Sequence, residues 1–246
     1  MEKLNSLTLA QIVNNNHQAA SVFEKYHLDF CCKGKRSLEK ACEEQQLAVA
    51  DVTAELESIF TNDGKQTAID FDKLSLTQLS DYIVQTHHAY VKNEMPQIHA
   101  YLQKVSSKHG ERHPGLYKIF ETFAAVKEEM EGHMKKEELI LFPRIKELQK
   151  LIDNENARMQ LNITYLQSPI TVMEQEHDHA GTLLNEIRLL TNDYTPPQDA
   201  CTTYRLSFAA LKAFELDLHQ HVHLENNILF PKAISTFREL QDSILN

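Results

Sequence analysis

Apolar residues return along this chain at steps of three and four, the period of a helix face. Leu9, Ile12, Ala19, Val22 and Phe23 mark a small helical unit over residues 1–62. The polar stretch TNDGKQTAIDFDK that follows, with Gly64, reads as a linker. Beyond it, over residues 72–246, four segments are long enough for bundle helices. They run from about Ser75 to Val105, Gly115 to Ile152, Ser168 to Thr191, and Pro197 or Ala200 to Pro231, with a short C-terminal continuation. Pro96 and Pro143 predict kinks or divisions, and Pro169 suits a first helical turn. TNDYTPPQDA reads as the turn between the last two segments. No segment alternates with period two, so sheet is not expected. The pattern predicts an all-α fold, an antiparallel four-helix bundle with a small N-terminal helical domain.

Composition narrows the classes of function. The 246 residues, 42% of them hydrophobic, suffice for a substantial core. A net charge of −10 argues against nucleic acid or an acidic membrane as partner, because phosphate binding needs concentrated Lys and Arg. No run of 18 apolar residues predicts a membrane span. Met1 to Val13 carries one Lys and no apolar run of signal-peptide kind. Four cysteines are too few for a disulfide scaffold, so a reducing, cytoplasmic setting is expected. The unusual number is 13 His, several of them clustered.

Those histidines fall in a repeat. Residues 133–143 read HMKKEELILFP and residues 221–231 read HVHLENNILFP. Each copy places His and Glu at i and i+4, His133 with Glu137 and His221 with Glu225, one turn apart on one helix face. Upstream, His88 precedes His133 by 45 residues and His177 precedes His221 by 44. Each half is therefore a helix with one His, a turn, and a helix with His-x-x-x-Glu. Two such hairpins packed together point six side chains inward: His88, His133, Glu137, His177, His221 and Glu225. Four imidazoles and two carboxylates suit two metals, each held by two His, with both carboxylates bridging. Nitrogen and oxygen donors without thiolate suit iron or manganese. Positions remain for an oxo or hydroxo bridge and for a small exogenous ligand.

Together with EHDHAG (residues 176–181) and the N-terminal DFCCKGKRSLEKAC, these stretches resemble the di-iron RIC proteins, for repair of iron centres. That family joins a short Cys-containing domain to a hemerythrin-like bundle, and the resemblance covers nearly the whole chain. It implies a non-haem centre of two iron ions and a role in restoring iron–sulfur clusters damaged by nitric oxide or oxidants. Damaged cluster proteins are then the partners, with iron donation as the act. The alternatives are reduction of nitric oxide or peroxide at the centre, or oxygen binding and sensing as in hemerythrins, which use a further His. A homodimer through the N-terminal unit is also allowed. The resemblance places a ligand His eight residues before a Pro, which selects His88 over His87 ahead of Pro96. It also assigns Glu129 and Glu176 to access toward the metal, for iron passage or proton handling. Cys31 and Cys32 correspond to the family's paired cysteines, with a thiol or redox role.

Lys33, Lys35 and Arg36 beside that pair predict a lowered thiol pKa. Cys201 reads as a packed small residue. His179, His219 and His223 should face away from the metal, since two residues rotate a helix by about 200°. His109 and His113 fall in a turn-rich loop and are expected at the surface. Gly132 and Gly181, beside ligands, are expected to serve close helix packing, or else substrate access. The LILF and NILF runs read as core beneath the metal layer.

Overall fold

The computed structural model describes residues 2–61, 69–153 and 164–245. Most of the linker read between the two units, with Gly64, lies outside the described residues. The N-terminal unit consists of α1 (Glu2–Asn5), α2 (Leu9–Asn15), α3 (Ala19–Lys25), α4 (Leu38–Glu44) and α5 (Val49–Thr61). Its short helices are set by their caps. The Gln11 N–H donates to Thr8 Oγ1 at 3.1 Å while Gln11 returns its side-chain oxygen to the Thr8 N–H. Ser37 caps α4 by accepting from Lys40 N–H.

The bundle follows. After a 3-10 turn at Phe71–Lys73 come α6 (Leu76–Ile83) and α7 (Ala89–His109), joined through a π turn at Val84–His88. Next are α8 (Gly115–Lys136), a π turn at Glu137–Leu141, and α9 (Phe142–Asp153). Then α10 (Thr164–Leu190), α11 (Thr202–Leu224), a π turn at Glu225–Leu229, and α12 (Phe230–Leu245) complete it. Among the described residues there is no strand, and an isolated bridge links Thr8 to Ser37. α8 packs on α7 and α10, and α7 packs on α11, the neighbour pattern of two hairpins side by side.

The apolar stripes explain the packing. On α8, Leu116, Ile119, Phe123, Val126 and Met130 step by three and four residues and are buried, and His133 and Glu137 continue the same steps. On α10, Leu166, Ile170, Met173, His177, Ala180, Leu184 and Ile187 do likewise. Polar side chains thus occupy core positions. They separate two apolar clusters: one with Val91, Met130, Met134, Ala180, Leu218 and Val222, the other with Ile83, Leu141, Phe142, Met173, Leu224 and Phe230.

Several sequence expectations need correction. Pro96 lies inside α7 without dividing it, on the solvent side. Pro169 lies inside α10 rather than in its first turn, because the helix already runs from Thr164. The Tyr165 carbonyl, which would have accepted the missing N–H, accepts Arg144 Nη1 at 2.7 Å, and that guanidinium also lies over the Tyr165 ring. Leu139 is 75% and Ile140 45% exposed, so only Leu141 and Phe142 of LILF enter the core. Ile228, Leu229 and Phe230 of NILF are all buried. Cys201 is exposed, at the residue that precedes α11. In the turn before it, Asn192, Asp193 and Tyr194 all adopt positive φ, held by the Tyr194 hydroxyl donating to buried Glu215 at 2.9 Å.

The N-terminal unit rests on α10, α11 and the following π turn. Arg188 Nη1 meets His27 at 2.9 Å and Glu24 meets His219 at 2.6 Å. His223 meets Asn14 at 2.9 Å, and Asn227 Nδ2 donates to the Cys31 carbonyl at 2.9 Å.

Candidate metal centre

Four helices deliver the six inward residues. His88 ends a π turn, Glu137 and Glu225 each open one, and His177 stands on the regular helix α10. In both repeat copies the N–H of the following Phe reaches back five residues, from Phe142 to the Glu137 carbonyl and from Phe230 to the Glu225 carbonyl. Such wide turns shift the side chains beyond them around the axis. Here the turn after Glu137 brings Phe142 to stack on His88, ring centroids 5.7 Å apart. Phe230 stacks on His177 in the same way, at 6.3 Å and 3° between planes.

The six side chains converge in a layer that is at most 2% exposed. All four imidazoles turn Nε2 inward. His88 and His221 approach to 3.2 Å between these atoms, and His133 and His177 to 3.0 Å. Glu137 Oε2 lies 3.3 Å from His88 and 3.2 Å from His133, so one carboxylate serves both pairs. Glu225 does the same, with Oε1 3.0 Å from His221 and Oε2 3.1 Å from His177. The donors fall into two sets, His88–Glu137–His221–Glu225 and His133–Glu137–His177–Glu225, each with its ligand atoms within 4.8 Å of one another.

The outward nitrogens decide the chemistry. His88 Nδ1 lies 2.7 Å from Glu138 and His133 Nδ1 3.0 Å from Glu176. Carboxylates accept only, so these nitrogens carry protons and orient the rings. His177 Nδ1 meets the Asn226 side-chain oxygen at 2.9 Å. The Nε2 lone pairs of His133 and His177 thus face one another at 3.0 Å, which is repulsive unless a cation or a proton lies between. Two wholly buried carboxylates raise the same demand, and both Glu137 oxygens and Glu225 Oε2 lack a hydrogen-bond partner. Nitrogen and carboxylate oxygen without thiolate is a set suited to iron.

Without metal, protons take that role. Burial alone would lower His133, but the nearby charge of Glu137, with Glu176 and Glu225, pushes it up to about 10. His88 rises for the same reason, burial being overcome by Glu137, Glu225 and Glu138. His221 is lowered, since burial prevails there. The Glu225 carboxyl, against burial, is held well below its ordinary range by His221 and His177. Glu176 is lowered to about 2 by its hydrogen bond to His133, burial opposing, with Lys136 adding to the effect.

Other sequence candidates lie around this layer. Glu176 contacts the centre through His133, and Lys136 pairs with it. Glu129 stands further out, its carboxylate 2.9 Å from exposed His179. His87 is buried but turned away, Nδ1 2.9 Å from Asp217. His113 is held by Asp199 at 3.2 Å. Cys31 and Cys32 lie with their sulfurs 3.9 Å apart, and Asp29 Oδ1 accepts from the Cys31, Cys32 and Lys33 backbone N–H groups. The expected lowering of the thiol pKa does not hold at Cys31. The hydrogen bond it donates to its neighbour Cys32, burial and the Asp29 charge push that thiol well up, while Lys35 turns to Glu174 and Arg36 to Glu44. The Cys32 sulfur would stand 3.9 Å from a Cβ on Gly181, one turn beyond His177. Gly132 does not serve close packing, since a Cβ there would meet nothing. Sequence reasoning missed Glu138 and Asn226; their one signal is that each directly follows an inward Glu.

Two family models match the chain. One, described as the hemerythrin HHE cation binding domain, matches residues 80–233, and a domain of unknown function (DUF542) matches residues 5–59. The iron-sulfur cluster repair protein YtfE of Yersinia pseudotuberculosis serotype IB is 34% identical over 217 residues, covering 88% of this chain and 91% of that protein. A Haemophilus influenzae protein named "Probable iron-sulfur cluster repair protein" is 33% identical over 88% of this chain and 92% of its own length.

Proposed function

Because this chain belongs to the hemerythrin HHE cation-binding family, in the form that carries the N-terminal DUF542 domain, we propose that it repairs damaged iron–sulfur clusters by donating iron. Its cargo would be two iron ions, one held at each pair of imidazoles, with Glu137 and Glu225 shared between the two donor sets. The observation that carries the reading is the shared pair of buried carboxylates, each within 3.3 Å of an imidazole from both pairs.

The residues have distinct tasks. Glu138, Glu176 and Asn226 hold three Nδ1 atoms so that Nε2 is free to donate electrons. Glu176 and Glu129, whose side chains are 29% and 37% exposed, form an acidic path from solvent to His133 on the α8–α10 side, suited to passing a cation or a proton. Cys31 and Cys32, next to Gly181, offer a thiol pair beside the centre. Bound iron would supply a labile metal to a cluster that has lost it. The setting is the reducing cytoplasm, and no helix among the described residues is long and apolar enough to cross a membrane. Oxygen carriage of the hemerythrin kind needs a further imidazole, and His87, His179, His219 and His223 are all engaged elsewhere.

The test is anaerobic iron loading followed by incubation with a cluster protein damaged by nitric oxide. About two irons per chain, and isotopically labelled iron moving into the restored cluster, are expected. Loading below about one iron per chain, or restoration in which no label moves, overturns the donor reading. Nitrous oxide formed in stoichiometric amount by the diferrous protein would instead assign reduction of nitric oxide.

A further inference from the structure

The two hairpins repeat more than their ligands. In each, the residue after the bridging Glu holds Nδ1 of the hairpin's first His: Glu138 holds His88, and Asn226 holds His177. In each, the Phe five residues after that Glu stacks on the same ring. The second His of the first hairpin, His133, takes its outer partner from the residue before His177, which is Glu176. The same relation applied to His221 points to the residue before His88, and that residue is His87, not a carboxylate.

The structure shows what replaces it. The His87 ring lies parallel to the His221 ring, centroids 5.7 Å apart and 8° between planes, so it cannot bond His221 edge to edge. Instead His87 Nδ1 grips Asp217 Oδ1 at 2.9 Å. Asp217 stands one turn before His221 on α11, on the same helix face. Its second oxygen, Oδ2, is buried without a partner, and so is His221 Nδ1. Two unsatisfied atoms of complementary kind therefore sit one turn apart, the only outer nitrogen of the four imidazoles left open and a carboxylate oxygen fixed in place by His87.

We propose that Asp217, clamped by His87, is the outer carboxylate of His221. It fixes Nδ1 as the protonated nitrogen through a bridged hydrogen bond, since neither atom has a partner at direct hydrogen-bonding distance. His87 and Asp217 together do for His221 what Glu176 does alone for His133. Asp217 is a positioning residue, and its role rests on the six-ligand reading above.

The experiment uses the full chain loaded with iron under anaerobic conditions. Proton NMR of the paramagnetic centre should show four slowly exchanging Nδ1–H signals in the wild type. Asp217→Asn should displace the His221 signal alone, and weaken one of the two irons 10–100-fold in chelator competition, the range typical of outer partners. Asp217→Glu should recover part of both. Glu131→Gln, on α8 and paired with Lys127, should leave all four signals in place. Should Asp217→Asn not fold, His87→Gln frees the carboxylate without removing it and must move the same signal. Four unchanged signals with both affinities within about twofold of wild type would overturn the assignment. A wild type that binds no iron would overturn the metal-centre reading itself, a separate failure.

Discussion

Glu137→Gln is the sharpest test of a shared carboxylate. The change keeps shape and one acceptor oxygen but removes a charge that lies 3.3 Å from His88 Nε2 and 3.2 Å from His133 Nε2. A unit charge about 4 Å from a cation contributes about 4 kcal/mol at an effective dielectric of about 20, and about 1.4 kcal/mol is tenfold in binding. Loss of Glu137 should therefore weaken each metal by roughly a thousandfold, and it should do so at both positions because Glu137 belongs to both donor sets. His177→Ala gives the contrast: His177 belongs to one set, so one iron should be lost and the other kept. The assay is iron content after anaerobic loading and desalting, with affinities from chelator competition and helicity from circular dichroism. The reasoning fails if folded Glu137→Gln keeps both irons with near-wild-type affinity. It fails equally if that variant loses one iron and holds the second as tightly as before.

Four further outcomes follow, two from His133 and two from residues outside the metal layer. Iron loading should release protons: His133, raised to about 10, is protonated at neutral pH in the metal-free protein, and its Nε2 must be bare to bind. Apparent affinity should therefore climb between pH 6.5 and 8.5 with a slope of at least about one proton per iron at that position, read by calorimetry in buffers of different ionisation heat; a flat profile would refute this. By the same shift, His133 stabilises the metal-free fold below its unfolded pKa of about 6.5, and that contribution disappears as pH rises through about 10. Arg144→Met should cost about 1–2 kcal/mol in urea unfolding of the metal-free protein, and less in a Pro169→Ala background, where the restored N–H reclaims the Tyr165 carbonyl; equal costs in both would reject the pairing. Asn227→Ala, which removes the donor to the Cys31 carbonyl, should raise the alkylation rate of buried Cys31 several-fold by mass spectrometry, whereas an unchanged rate would mean that this contact does not hold the cysteine segment down.

The inward residues were legible because they obey the helix period twice over. His133 and Glu137 extend the stripe Leu116–Ile119–Phe123–Val126–Met130, and His177 falls in step with Met173 and Ala180. Polar residues at core positions, duplicated at matching distances, leave little room for a solvated face. The outer partners were not legible, because Glu138, Asn226 and Asp217 act across helices or one turn away, and each looks like an ordinary helix residue in sequence. The thiol environment was misread for a related reason. Counting Lys33, Lys35 and Arg36 along the chain ignores direction: two of these side chains pair elsewhere, while Asp29 folds beneath both sulfurs.

The prolines of the two ILFP runs show how local chemistry and the site are joined. Pro143 and Pro231 each stand six residues after a bridging Glu. Neither has an N–H to return to the preceding turn. In both places the ladder has already slipped by one residue, from Phe142 to Glu137 and from Phe230 to Glu225. A wide turn just before proline absorbs the missing rung without ending the helix. The same slip turns Phe142 and Phe230 onto the rings of His88 and His177, so the residue that tolerates proline also stiffens a ligand. His177 itself sits on an unbroken stretch of α10 with no bridging Glu of its own to aim. The unit that builds half of this centre is therefore longer than His-x-x-x-Glu: it runs on through the Phe-Pro that follows.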